Sequence, residues 1–177
     1  MKKIIFVFAA VCCVAMMGVM LSSCDHGNNP SESDPLKALD PYLVWGANYA
    51  DVQKHIEAKT GWKNGNDSLE YWAGEGWHKW YWVADSLTEQ YLFETQDGQN
   101  LRTVQCYSYD KSITFEAAQA YLKKRDYVFL TTRKMQDVGD ATAEIYASAD
   151  KKTRVYLIPD PDGYWFMSFE KMPTAEQ

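Results

Sequence analysis

Cysteine, histidine and clustered positive charge are all scarce in this chain. Of its four cysteines, Cys12 and Cys13 lie in the amino-terminal apolar run and Cys24 closes it. Cys106 is left alone in the body of the chain. One cysteine excludes an internal disulfide framework, and within the strand-like run Leu101–Tyr109 it reads as a small buried residue, not a reactive thiol. The three histidines, His26, His55 and His78, show no HExxH or comparable spacing, so no metal centre is expected. His55, beside Glu57 and Lys59, reads as the solvated flank of a helix, and His78 as an exposed residue at a strand end. There is no G-x-S-x-G elbow and no Gly-rich phosphate loop. Glu70, Glu75, Asp140, Glu144 and Asp150 are scattered, and nothing marks a glycosidase-type pair among them. Asp160-Pro161-Asp162-Gly163 begins like a calcium loop but lacks the later glutamate, so it reads as a hairpin turn. No basic patch is present, and the net charge is −6. Nucleic acid and anionic lipid headgroups repel such a chain. Neither catalysis nor a cofactor is expected.

The amino terminus is informative. Lys2 and Lys3 precede an uncharged apolar run from Ile4 to Leu21, and small residues follow. A positive start, an apolar centre and a small-residue exit describe a secretory signal peptide over 1–23. Leu21-Ser22-Ser23-Cys24 resembles the bacterial lipobox, which implies that Cys24 becomes the first mature residue and carries a thioether-linked diacylglycerol. The run is nearly long enough to span a bilayer. It stops, however, in Ser-Ser-Cys and not in the basic cluster of a stop-transfer segment. Several acyl chains at one site give durable attachment, so the body of the protein needs no membrane surface of its own. Losing Lys2 and Lys3 takes the charge from −6 to −8.

Residues 24–41 (CDHGNNPSESDPLKALDP) are rich in Asn, Ser, Asp and Pro and read as a flexible tether. A globular domain is expected over 42–177. Asn48 is a good N-cap for a helix with Asp51 in its first turn, Tyr49, Val52 and Ile56 as its apolar stripe and Gly61 as its stop. Strands are expected at 68–73, 79–84, 88–95 and 101–109, separated by Gly-, Asp- and Asn-containing turns. Thr114 caps a second helix whose stripe is Phe115, Ala118 and Leu122, with Lys123, Lys124 and Arg125 in its last turn. Strands return at 143–148, 153–158 and 164–169, with 127–132 a further strand or an extended lead-in. The order suggests two repeats, about 42–110 and 111–172. The expected fold is α+β, with tandem helix-plus-antiparallel-sheet units forming one curved sheet of about seven strands and both helices on one face.

A Trp45-Gly46 start, a short helix carrying Val52, a Gly61-Trp62 exit and then an antiparallel meander resemble the BamE/SmpA-type small lipoproteins. Doubled, the unit resembles the β-lactamase inhibitor protein, in which tandem helix-plus-sheet units form one long curved sheet. The resemblance covers most of residues 42–172 at the level of architecture. It implies protein–protein binding in the cell envelope without catalysis, and a place in the outer membrane. It transfers no contact residue to this chain.

Aromatic residues make up 15% of the chain, and EYWAGEGWHKWYWVADS concentrates them. In KWYWVA, Trp80 and Trp82 point to one side of a strand and Tyr81 and Val83 to the other, so both sides are apolar. An antiparallel sheet covered on one face would normally be polar on the other. Two readings stand. The tryptophans are core, since each buries a large area; or Trp72, Trp77, Trp80 and Trp82, flanked by His78, form a binding face for an envelope protein or for a glycan or small ligand.

Overall fold

The computed structural model describes residues 34–173 except 67, 73, 85 and 136–140. Asn48 starts the first helix, α1 (Tyr49–Glu57), with a reciprocal cap. Its side chain accepts the Asp51 amide at 3.0 Å, and Asp51 reaches back to the Asn48 amide at 3.4 Å, so two otherwise orphaned donors are satisfied. Val52 and Ile56 are fully buried. Thr114 caps the second helix, α2 (Phe115–Lys124), by accepting from the Ala117 amide. Its buried stripe is Ala118, Tyr121 and Leu122, while Phe115 is only half-buried.

Nine strands form one antiparallel sheet among the described residues: β1 (Lys63–Asn64), β2 (Glu70–Trp72), β3 (Gly76–Ala84), β4 (Leu87–Phe93), β5 (Leu101–Ser108), β6 (Val128–Lys134), β7 (Thr142–Ala147), β8 (Thr153–Pro159) and β9 (Trp165–Lys171). The spatial order is β1-β3-β4-β5-β9-β8-β7-β6, with β2 beside β1 along the edge of β3. The sheet is open. The α+β class is as expected, but the strands number nine and not about seven. The additions are β1, too short to carry a pattern, and the extended segment at 128–134, which is a full strand.

Register assigns the faces. Tyr81, Tyr91, Val104, Phe169 and Val155 share a side with their partners across the sheet. Together with Val52, Ile56, Ala118, Tyr121 and Leu122 they form one buried cluster. Both helices therefore bury into the same face, called inner below.

The expected tether is corrected at its end. Residues 24–33 lie outside the described residues, but Leu36 and Leu39 are fully buried in the inner-face core. The Leu39 carbonyl accepts from Tyr121 Oη and Arg125 Nη2, and Asp34 pairs with Lys124 at 3.1 Å. The folded part thus begins before residue 42. A buried carboxylate fixes this strap. Glu89, fully buried, accepts from the Asp40 amide at 3.0 Å, from Lys59 Nζ at 2.7 and 2.9 Å, and from Tyr91 Oη at 2.8 Å. Desolvating a carboxylate is tolerable only with such a complete donor set.

Candidate binding face

The strand that carries the tryptophans starts earlier than its sequence suggests. Because β3 begins at Gly76, parity runs through Trp77, Lys79, Tyr81 and Val83 on the inner side and His78, Trp80 and Trp82 on the outer side. Trp77 therefore leaves the expected face. It packs partly buried against the inner core and meets Tyr71 across β2, with ring centroids 5.1 Å apart. Trp72 pairs in register with Gly76 and joins the outer set. Its ring lies 5.8 Å from Trp80, nearly perpendicular at 89°, and 6.2 Å from His78. The expected five-residue face is thus four residues: Trp72, His78, Trp80 and Trp82.

Exposure separates these four. Trp72 is 42% exposed and Trp82 39%, whereas Trp80 is half-buried. His78, expected at an exposed strand end, is 1% exposed. It sits in mid-strand between two indole rings, with the Gln90 side-chain amide against its Nδ1. Burial, followed by the charge of Arg102, pushes its pKa down to about 4. At neutral pH the ring is uncharged, so its 3.8 Å approach to Glu75 is not an ion pair. His78 supports the neighbouring indoles and does not present itself to a ligand.

A close backbone contact positions Trp80 and Trp82. Asn66 Oδ1 accepts the Trp80 amide at 3.1 Å, and the Gly65 amide donates to the Trp80 carbonyl at 2.9 Å. A side chain at Gly65 would stand 2.8 Å from both Trp80 Cβ and the Trp80 carbonyl oxygen, so only glycine lets the β1 end lie flat there. Beyond it, Gly61, Lys63, Trp82 and Ala84 line a shallow depression of about 290 Å³.

The outer face continues across the central strands. Thr88, Gln90 and Leu92 on β4 lie opposite Tyr107, Gln105 and Thr103 on β5. These in turn face Phe166, Ser168 and Glu170 on β9. The Tyr107 and Phe166 rings stack at 6.2 Å. Glu170, paired with Arg154 at 3.1 Å, is the charged exception in an otherwise aromatic and neutral polar band. Farther along, Ala143, Ile145, Tyr156 and Ile158 form a second buried cluster on this side. Neither helix contributes to it.

Other chemistry-bearing residues serve packing. Cys106 is fully buried opposite Glu89, and burial raises its thiol pKa well above the usual value. Glu144 accepts from Gln119 and from Tyr146 Oη, and Asp150 pairs with Lys152 at 3.4 Å. Asp160 organises a hairpin turn, its side chain accepting the Asp162 amide and its carbonyl the Gly163 amide. Among the described residues no three His, Cys, Asp or Glu side chains are grouped to hold a metal ion. Cys24, His26 and Asp140 lie outside the described residues. Sequence reasoning missed the Glu89–Lys59–Tyr91 network. Its one signal was an acidic residue at the centre of an otherwise strand-forming run.

No family model, curated protein or solved structure matches this chain.

Proposed function

We propose that this chain is a noncatalytic, lipid-anchored protein of the bacterial cell envelope that docks a protein partner on the outer face of its sheet. The carrying observation is one-sided layering. Both helices and the 34–42 strap occupy the inner face, while the opposite face turns out two indoles that are each about 40% exposed. Large rigid aromatics on a scaffolded sheet are the residues that dominate protein interfaces. His78, Lys79, Glu89 and Cys106 are all buried within the packing of the sheet.

The membrane attachment in this reading is the lipid on Cys24, following the lipobox-like Leu21-Ser22-Ser23-Cys24. No described helix is long and apolar enough to cross a membrane. The two runs of helix then meander, α1 with β3–β5 and α2 with β6–β9, support tandem units in one curved sheet. They also support the likeness to BamE/SmpA-type lipoproteins and to the β-lactamase inhibitor protein. That likeness favours the outer membrane.

A photo-crosslinking residue at position 82, compared with one at Lys123 on the helix face, tests the reading in cells. We expect one discrete protein adduct from position 82, none from 123, and loss of the adduct when Trp72→Ala is added. Equal labelling from both positions would refute it. The depression beside Trp82 favours a second reading, a glycan or small ligand held against that indole. Tryptophan fluorescence that responds to soluble glycans in the native chain but not in Trp82→Phe would replace the first reading with this one.

A further inference from the structure

The two edges of the sheet are built differently. At one, β3 is flanked by β1 and β2, strands of two and three residues that divide its edge between them. At the other, β6 runs for seven residues, has β7 as its one strand partner among the described residues, and is exposed at every position. Its first half is apolar, with Val128, Phe129 and Leu130 each at least 50% exposed, and its second half ends in Arg133 and Lys134. It contains no proline. Natural sheets blunt their edges with short strands, bulges, charge or proline, because an open row of amides and carbonyls templates another strand. Here β1 and β2 follow that rule. β6 has a bulge at Leu130 and a basic end, but its first three residues remain apolar and uncharged.

We propose that the free edge of β6 is a self-association surface, on which a second copy of this chain adds its own β6 antiparallel and makes one sheet continuous across a two-fold axis. The strand is self-complementary in that direction. Antiparallel pairing lays Val128–Leu130 of one copy along Thr132–Lys134 of the other, so the basic pairs stand at opposite ends and not against each other. The second copy's Arg133 then lies along the apolar half, where a guanidinium stacks favourably on an aromatic ring such as Phe129. Asp126, exposed just before the strand, waits at the end that this Arg133 approaches, and the same pair recurs across the axis. β6 itself carries two cations and no acid in a chain whose net charge is −6, which lessens repulsion between two acidic copies along this strand.

The placement of the helices agrees. The axis of such a pair is normal to the sheet, so both copies turn their helices to one side. Asp34, bonded to Lys124 of α2, lies on that side in each. Two lipid-anchored copies whose helices face one way serve a single bilayer. This point rests on the lipid anchor proposed above, whereas the pairing itself does not.

Sedimentation equilibrium of the mature chain in detergent, with amide hydrogen exchange on the same samples, tests the proposal. We expect a dimer whose β6 amides are protected at high concentration and exchange freely on dilution. Leu130→Lys should raise the dissociation constant more than about tenfold while leaving the melting curve nearly unchanged, since Leu130 is half exposed and has no register partner on β7. Phe129→Lys should raise it as much but also lower the melting temperature, since the Phe129 ring packs on Tyr146. Trp82→Ala should leave association unchanged, which separates this surface from the outer-face docking site. A monomer at every concentration would overturn the proposal. So would a dimer indifferent to the β6 substitutions, or β6 protection that does not depend on concentration, which would mean that a segment of the same chain covers the edge.

Discussion

Single side chains decide which of the tryptophans is core and which is surface. Trp80 and Trp82 are assigned by alternation alone, since Tyr81 and Val83 between and beyond them are buried. Trp77 was misplaced because Gly74-Glu75-Gly76 reads as a turn that ends before Lys79; once Gly76 starts the strand, parity sends Trp77 inward. His78 is the residue least legible in sequence, because its burial depends on Trp72, Trp80 and Gln90 coming from three strands. That burial carries a pH dependence. The folded-state pKa is about 4 against roughly 6.5 in the unfolded chain. Between those values the unfolded state takes up a proton that the folded state refuses, so stability is full above about pH 6.5 and falls as the pH drops toward 4. The loss is on the order of 3 kcal/mol. Glu75 and Arg102 are the charged groups nearest this ring. Urea denaturation at pH 7 and pH 4.5 should show the native chain losing stability across this window and His78→Leu losing distinctly less. An equal loss in both would mean that His78 is not the titrating group.

The regular elements were largely written locally. Asn48 and Thr114 are cap residues by chemistry, and both cap the helices expected of them. Seven of the strands were foreshadowed by β-formers between Gly-, Asp- and Asn-rich turns. What escaped were segments whose order comes from distant partners. Leu36 and Leu39 are two apolar residues in a polar stretch with no period to reveal them, and they are held by Glu89, Tyr121 and Arg125 from elsewhere in the chain. β1 is two residues long and exists because Gly65 allows contact with Trp80. Adding one methyl there tests that dependence. Gly65→Ala should cost ~1–3 kcal/mol in a denaturant melt and alter indole fluorescence, since the clash is with Trp80 itself. A neutral outcome would show that β1 does not hold this edge.

At the scale of the whole molecule, the central claim concerns layers. One face of a nine-stranded sheet carries the helices, the strap and the main core. The other carries Trp72, Trp80 and Trp82 and an aromatic, neutral polar band. Sequence order alone suggested helix and meander twice over. It could not show that β3 would begin at Gly76 and turn Trp77 inward, or that joining β5 to β9 would leave β6 at the end of the strand order. Comparing Tyr81→Ala with Trp82→Ala by denaturant unfolding tests this layering most directly, since the two residues are adjacent, aromatic and on opposite faces. Tyr81→Ala should cost about 3–5 kcal/mol and Trp82→Ala less than about half of that. If removing Trp82 costs as much as removing Tyr81, the outer face is a second core and not a docking surface.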